Sequence, residues 1–306
     1  MKDIDPFFLI APKVNNTYLP HHNCLNELEV RMKELLIRVA VAIVGIPLLL
    51  FVILKGGLFF YLFSVIVTII GQWEMYNLLK QKGGRPMPVA GMLSGQALLA
   101  ILYSGFSPLL CLAVVGLVLY IFGYEMFKND GSALLNTSST IMGVIYPTMF
   151  WGALLFLRQN AHHVFQADYN FSGIFILIMF VAIWICDTFA YFFGMKFGKH
   201  RLFARVSPKK SWEGAVAGLA GALLVYLIVY FQKIIPISLE VAIVSGLIVG
   251  VVGQFGDLVE SWFKRDAGVK DSSALLPGHG GVLDRFDSVL FSSMAFLIFY
   301  FILQLR

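Results

Sequence analysis

Charge is what this chain has least of. Asp, Glu, Lys and Arg make up 13% of its 306 residues, too thin a coat for a soluble surface, and 58% are apolar, with Phe alone contributing 28. Folded soluble domains run nearer about 45–50% apolar even when Gly is counted, so a large soluble domain is excluded. Cysteine is also scarce. Cys24, Cys111 and Cys186 are too scattered for a disulfide scaffold or a metal cluster and read as small hydrophobes or free thiols, which removes redox chemistry as a theme. Period-2 alternation is missing, and with it the wall of a β-barrel. The first 30 residues lack the basic, apolar and small-residue parts of a signal peptide, so they are not expected to be cleaved. The expected partners are membrane lipids and not nucleic acid.

What is present is a series of apolar runs of roughly the 20 residues that a bilayer requires. They fall near Leu35 to Leu54, Leu58 to Leu79, Val89 to Tyr103, Pro108 to Phe127, Thr137 to Leu157, Phe171 to Met195, Ala215 to Phe231, Leu239 to Leu258 and Phe286 to Leu303. The expected fold is therefore an all-α polytopic membrane protein of about nine transmembrane helices. It divides into an N-terminal polar or interfacial segment (1–34), N-terminal transmembrane helices (35–170) and a C-terminal catalytic region (171–306). Phe7 to Ile10 and Leu25 to Leu36 carry an amphipathic pattern suited to the interface, and the adjacent His21 and His22 read as surface residues. Gly214, Gly218 and Gly221 on the seventh span, and Gly246, Gly250 and Gly253 on the eighth, recur at helical spacing and permit close helix contact.

With nine spans, the loops after spans two, four, six and eight share one face and hold most of the 23 Lys and Arg residues. The positive-inside tendency makes that face cytoplasmic. Arg31, Lys33 and Arg38 precede the first span on what would be the outer side, and the charge rule alone does not assign that end. Trp184, Trp212 and Trp262 suit interfacial anchoring.

The polar residues that hydropathy does not explain gather in three places. Asp187 stands with Thr188 and Tyr191 on an otherwise apolar helix, where a carboxylate needs a polar cavity, a cation or a partner. Lys199 to Gly214 is a basic loop in which Ser207 or Ser211 is placed to cap the seventh helix beside Lys209 and Lys210, a seat for an anion. The richest stretch is Ser261 to Asp287, with four Lys or Arg and four Asp around Pro277-Gly278-His279-Gly280-Gly281. Glycines around His279 describe a tight concavity rather than a linker. Mg²⁺ takes one or two carboxylates plus phosphates and waters. Asp257 and Asp284 stand at facing ends of two helices joined by this loop, and the neighbouring cations suit phosphate charge. The combination points to phosphoryl or nucleotidyl transfer.

Ser261, Lys264-Arg265, Lys270-Asp271, Ser273, Leu276-Pro277, His279-Gly280-Gly281, Asp284-Arg285 and Asp287 together resemble the signature of the phosphatidate cytidylyltransferases, the integral-membrane CDP-diacylglycerol synthases. Ser207 to Gly214, Gly253 to Ser261 and Asp187-Thr188 agree with it. The resemblance covers the chain from Asp187 to its end. It implies that CTP and phosphatidic acid give CDP-diacylglycerol and pyrophosphate in a Mg²⁺-dependent attack of the lipid phosphate on the α-phosphorus. It also implies Asp257 and Asp284 as metal ligands, K⁺ as a second cation, a homodimer, and a bacterial inner membrane with the site facing the cytoplasm.

On that reading Lys264, Arg265 and Lys270 neutralise triphosphate or lipid phosphate, and Lys209 and Lys210 do so from the other loop. Ser207, Ser211, Glu213, Ser261, Gly280, Gly281 and Arg285 complete the substrate surface. Asp271 and Asp287 bind a second cation or orient a basic partner. Asp187 and Glu260 complete the metal shell or orient the cations, and His279 donates to pyrophosphate, moves a proton or simply shapes the turn. A CTP-dependent membrane lipid kinase would use the same groups but release CDP, and a transporter would tolerate Asp187 and Asp257 without needing the glycine turn.

Overall fold

The computed structural model describes residues 21–306 apart from Phe106, Asn129, Pro277 and His279, with the side chains of 21–31, 33–35 and 38 outside the description. The expectations for Phe7 to Ile10, for the His21 and His22 side chains and for Cys24 therefore lie outside it. In hydrocarbon each backbone N–H and C=O must be satisfied within its own segment, so the apolar runs fold as helices. These are α1 (His21–Lys55), α2 (Gly57–Gln81), α3 (Pro88–Ser104), α4 (Pro108–Lys128), α5 (Ala133–Val144), α6 (Phe150–Val164), α7 (Tyr169–Phe197), α8 (Trp212–Phe231), α9 (Leu239–Leu247), α10 (Gln254–Asp266) and α11 (Leu283–Gln304).

Two π-helical segments weld four of these into two longer rods. Ile145–Met149 joins α5 to α6, and Ile248–Gly253 joins α9 to α10. Pro147 lies in the first and lacks the N–H that an α-helical bond would need. After the second, the Gln254 side chain donates to the Gly250 carbonyl at 2.6 Å and to Ala215 O on α8 at 3.0 Å. A side chain inserted into the helical ladder is a recognised cause of such distortion.

The described residues thus form nine helical rods, as expected, in an all-α polytopic membrane fold. Seven are long and apolar enough to cross a membrane, while α3 and the Val39–Lys55 part of α1 are shorter. The stretch from Leu25 to Leu36 belongs to the same continuous helix as the first span. The eighth rod runs to Asp266, eight residues past the expected end at Leu258, and α11 begins at Leu283, ahead of the expected Phe286. Asp257, Glu260 and Lys264 therefore sit on one helix, and Asp284 in the first turn of another with Asp287 just beyond it. The segment after α7 is a hairpin rather than a plain loop. Its strands β1 (Arg201–Phe203) and β2 (Ser207–Ser211) pair antiparallel, Arg201 opposite Ser211, with Val206 buried at the turn.

The glycines act as expected. A Cβ on Gly218 would come 2.9 Å from Cys186 O, and one on Gly214 would come 2.7 Å from Ala190 O, so α7 and α8 touch backbone to backbone. Gly246 and Gly250 admit the Cα atoms of Leu223 and Leu219 on α8 in the same way. Aromatic rings bind the earlier helices to the later ones. Tyr146 meets Phe263 at 5.4 Å, Phe150 meets Phe291 at 5.1 Å and Trp151 meets Phe286 at 4.9 Å between centroids.

Gly218→Val should destabilise the protein in detergent by about 1–3 kcal/mol, the usual cost of overpacking. Gly116 on α4 has open space around it, so Gly116→Val should leave the melting temperature close to wild type.

Candidate active site

Two neighbouring arrangements hold most of the polar residues, one open and one buried. The open one is a cleft of about 660 Å³ between the end of α7, the hairpin, the start of α8 and the start of α10. Asp187, Gln254 and Asp257 give it an acidic and amide side, Arg201, Lys209 and Lys210 a basic side, and Ala190, Tyr191, Met195 and Leu202 an apolar wall. Lys210 on β2 forms an ion pair with Asp257 on α10, joining the hairpin to the helix that follows the π segment. Asp187, Asp257 and Asp287 are close enough to repel one another, with Lys210 opposing that repulsion at Asp187. Ser261 reaches Asp257 with its hydroxyl at 3.4 Å.

Local sequence explains the hairpin's grip. Ser211 is the N-cap of α8, its hydroxyl accepting from Gly214 N at 3.1 Å, which confirms the expected cap. Gly198 is required beside it, because a Cβ there would lie 2.3 Å from Gly194 O and 2.7 Å from Ser211 Oγ. Glu213, in the first turn of α8, closes the base of the hairpin by accepting from His200 N at 3.2 Å and pairing with His200 Nδ1 at 2.7 Å.

The buried arrangement surrounds Asp284. Its Oδ1 accepts from Lys264 Nζ at 2.5 Å, and its Oδ2 accepts from Gly281 N at 2.7 Å, Ser272 N at 2.9 Å and Ser272 Oγ at 3.0 Å. Lys264, one turn beyond Glu260, also donates to Glu260 Oε2 at 2.8 Å, so one ammonium lies between two carboxylates with its side chain only 10% exposed. The loop between α10 and α11 is drawn tight by Leu276 N donating to Gly280 O at 2.9 Å. Gly280 has φ +79°, and a Cβ on it would meet Asp284 Oδ2 at 2.7 Å. The concavity expected from the glycines is real, and what fills it is a carboxylate of the same chain.

The expected site residues thus divide. Asp187, Asp257, Lys209, Lys210 and Ser211 share the cleft, with Ser261 behind Asp257 and Ser207 at the start of β2. Lys264, Glu260, Asp284, Gly280 and Gly281 form or border the buried network. Asp287 lies between the two, near Asp257 and Glu260, with Ser288 N donating to it at 2.5 Å. Arg265, Lys270, Asp271 and Arg285 are exposed and outside the cleft lining, and Arg265 donates to Val269 O at 3.1 Å. His279 lies outside the described residues.

Sequence reading passed over Arg201, Gln254, Ser272 and Glu74. Arg201 stood within the basic segment, and the pairing of β1 with β2 brings it to the same cleft as Lys209 and Lys210. Glu74 gave a plainer signal as the only acid in α2, yet nothing in the sequence joins it to residues some two hundred positions later. It is fully buried and accepts from Ser272 Oγ, Ser273 Oγ, Val282 N and Leu283 N at 2.6–3.0 Å.

Among the described residues no three His, Cys, Asp or Glu side chains converge as a complete metal shell. Mg²⁺ needs no such shell, since water and substrate phosphate supply most of its oxygens. Asp257 fits it, being half-buried on an open cleft with Asp187 and Asp287 near and a lysine ammonium already beside it. Asp284 fits only after Lys264 leaves Oδ1, since Oδ2 already has three donors.

Fold and site define a class: a polytopic helical membrane protein with an acid-and-lysine cleft where helix ends meet a basic hairpin. Within that class the chain belongs to the cytidylyltransferase family, whose model, described as "Cytidylyltransferase family", matches residues 36–303. It is 33% identical over 260 residues to the phosphatidate cytidylyltransferase of Staphylococcus saprophyticus, covering 83% of this chain and 95% of that protein. The phosphatidate cytidylyltransferases of Staphylococcus haemolyticus and Staphylococcus aureus are 31% and 33% identical, with the same shares covered. The likeness therefore extends through the N-terminal helices, which the signature residues alone did not reach.

The two lysine pairs should respond differently to substitution. Removing the cation from a buried pair leaves an uncompensated charge, so Lys264→Met should cost about 3–5 kcal/mol in a detergent melt. Lys210 is part-exposed on the cleft wall, and Lys210→Met should change stability by less than about 1 kcal/mol.

Proposed function

We propose that this protein is a phosphatidate cytidylyltransferase, joining CTP and phosphatidic acid to give CDP-diacylglycerol and pyrophosphate at a cytoplasm-facing site in a bacterial inner membrane. The observation that carries the reading is the cleft itself. Carboxylates, lysines and an arginine share it with an apolar wall, in a chain related along most of its length to proteins described by that activity. An occupant with both a phosphate head and hydrocarbon matches such a lining, and phosphatidic acid has both.

In this proposal Arg201, Lys209 and Lys210 bind phosphate oxygens through charge-assisted hydrogen bonds. Lys210 exchanges its present partner, Asp257, for substrate. Asp257, with Asp284, Glu260 and Asp187 as further candidates, would hold Mg²⁺, with K⁺ as a possible second cation. When bound, Mg²⁺ supplies charge neutralisation at the phosphates. Lys264 and the exposed Arg265 and Lys270 provide the next cations along the same helix and loop. The lipid phosphate is already largely ionised near neutral pH, so no strong general base is needed for its oxygen to attack the α-phosphorus and expel pyrophosphate. Apolar side chains Tyr191, Met195 and Leu202 keep the acyl end on the hydrocarbon side of the cleft. A homodimer belongs to the same proposal.

Purified protein given CTP, phosphatidic acid and Mg²⁺ should form CDP-diacylglycerol and pyrophosphate in equal amounts and stop when the metal is chelated. Release of CDP with a newly phosphorylated lipid would assign a kinase instead. Asp257→Asn and Asp284→Asn should each lower the rate by roughly 10²–10³-fold or more while the protein stays inserted. Full activity in either removes it from the metal-binding role. Lys209→Ala and Lys210→Ala should raise KM for CTP or lipid about tenfold, the worth of one charged hydrogen bond, and unchanged KM would reduce the hairpin to a topogenic signal.

A further inference from the structure

Glu74 is a carboxylate in the middle of an apolar helix, fully buried, in the half of the chain that supplies none of the residues assigned above to chemistry. Such a group is costly unless it is well partnered, and here each of its oxygens has two donors within hydrogen-bond distance. Oε1 accepts from Ser273 Oγ at 2.6 Å and Val282 N at 2.9 Å, and Oε2 accepts from Ser272 Oγ at 3.0 Å and Leu283 N at 2.8 Å. Each oxygen thus takes one hydroxyl from the loop before α11 and one amide from the start of α11.

Those amides are among the N–H groups that open a helix without an intrahelical partner. Val282, the N-cap residue of α11, provides no side-chain cap. Glu74 provides it from another helix, with its charge at the positive end of the α11 dipole. Space around it is filled, since a Cβ on Gly281 would come 2.5 Å from Glu74 Oε1 and 2.0 Å from Ser272 Oγ.

Ser272 makes the connection to Asp284. Its single hydroxyl proton faces Glu74 Oε2 and Asp284 Oδ2, each 3.0 Å away, while its backbone N–H donates to Asp284 at 2.9 Å. The rotor can serve only one carboxylate at a time, so the two share one donor. Asp284, the residue after the second amide held by Glu74, is thereby fixed in both position and hydrogen bonding.

We infer that Glu74 is a positioning residue for the reaction: it caps α11 from α2, holds the preceding loop at Ser272 and Ser273 and, through Ser272, sets the carboxylate of Asp284. The inference rests on the cytidylyltransferase reading for its kinetic part alone. Groups that orient a metal-binding side chain typically contribute about 10–100-fold to activity or metal affinity.

The test uses the purified full chain. Glu74→Gln keeps the size and removes the charge, replacing one acceptor with a donor aimed at donors. Its kcat should fall about 10–100-fold, and the Mg²⁺ concentration for half-maximal rate should rise, with KM for CTP and lipid little changed. Glu74→Asp, which retains the charge on a shorter arm, should recover part of the rate. Hydrogen exchange, which requires no substrate, should show Val282 and Leu283 losing protection in Glu74→Gln while α7 amides keep theirs. Wild-type protection there would overturn the positioning role even if the wild-type protein forms no CDP-diacylglycerol. Lost protection with wild-type kcat and Mg²⁺ dependence would overturn the link to Asp284. If Glu74→Gln does not fold, Ser272→Ala and Ser273→Ala decide: the first removes the shared hydroxyl and should lower kcat more than the second, and equal effects would overturn the inference.

Discussion

A carboxylate held away from water has to be surrounded by donors, and the shape of this site follows from meeting that condition twice, at Glu74 and at Asp284. Between them they accept from three loop or helix-start amides, Gly281, Val282 and Leu283, and from both the amide and hydroxyl of Ser272. A loop that gives so many of its N–H groups to two fixed acceptors has little conformational choice left. Gly280 and Gly281 follow from the same demand, one by its positive φ and both by the absence of a Cβ where carboxylate oxygens stand. Once the loop is set, α11 starts where it must, and Asp284 and Asp287, three residues apart, share a face at its start.

The same condition separates two lysines that look equivalent in the sequence. Lys264 is buried between Glu260 and Asp284, where its loss would strand charge. Lys210 pairs with Asp257 at the cleft, both side chains about a third exposed, and pairs of that kind contribute about 0–1 kcal/mol. An incoming cation or phosphate therefore meets little resistance in separating Lys210 from Asp257, and far more in reaching Asp284. Lys264 is better understood as the internal counter-ion of the network, with phosphate contact requiring that it first leave Asp284. Of the two aspartates read from the sequence as metal ligands, Asp257 is the one that water already reaches.

The fold was legible in the sequence because the bilayer imposes a simple rule: long apolar runs become helices, and glycines at helical spacing become crossings. Nine runs gave nine rods. The polar run from Ser261 to Asp287 was legible as a place of interest for the opposite reason, being costly to carry in such a chain. Its internal bonding was not, because composition does not distinguish a lysine facing solvent from one shared by two buried carboxylates. The hairpin was hidden by Pro208 and the consecutive lysines, which read as loop although Val206 and Ser211 are buried at its ends. Glu74 was visible as a lone acid in α2, but its partners are separated from it by about two-thirds of the chain and became neighbours only through packing.

That packing gives the N-terminal helices a purpose beyond crossing the membrane. Tyr146 and Phe150 place rings on Phe263 and Phe291, and Trp151 meets Phe286 two residues beyond Asp284. These contacts fix α10 and α11 from the side, while Glu74 fixes the start of α11 end-on. Each alone leaves a freedom: aromatic packing tolerates small slides along a helix, and a cap holds only the first turn. Together they define both where α11 lies and where it begins. A site assembled from the ends of several membrane helices needs both, since each missing turn moves a side chain about 5.4 Å along the axis. The cleft residues and the Asp284 network belong to the C-terminal part of the chain, while the placing of α10 and α11 draws on α2, the π segment Ile145–Met149 and α6.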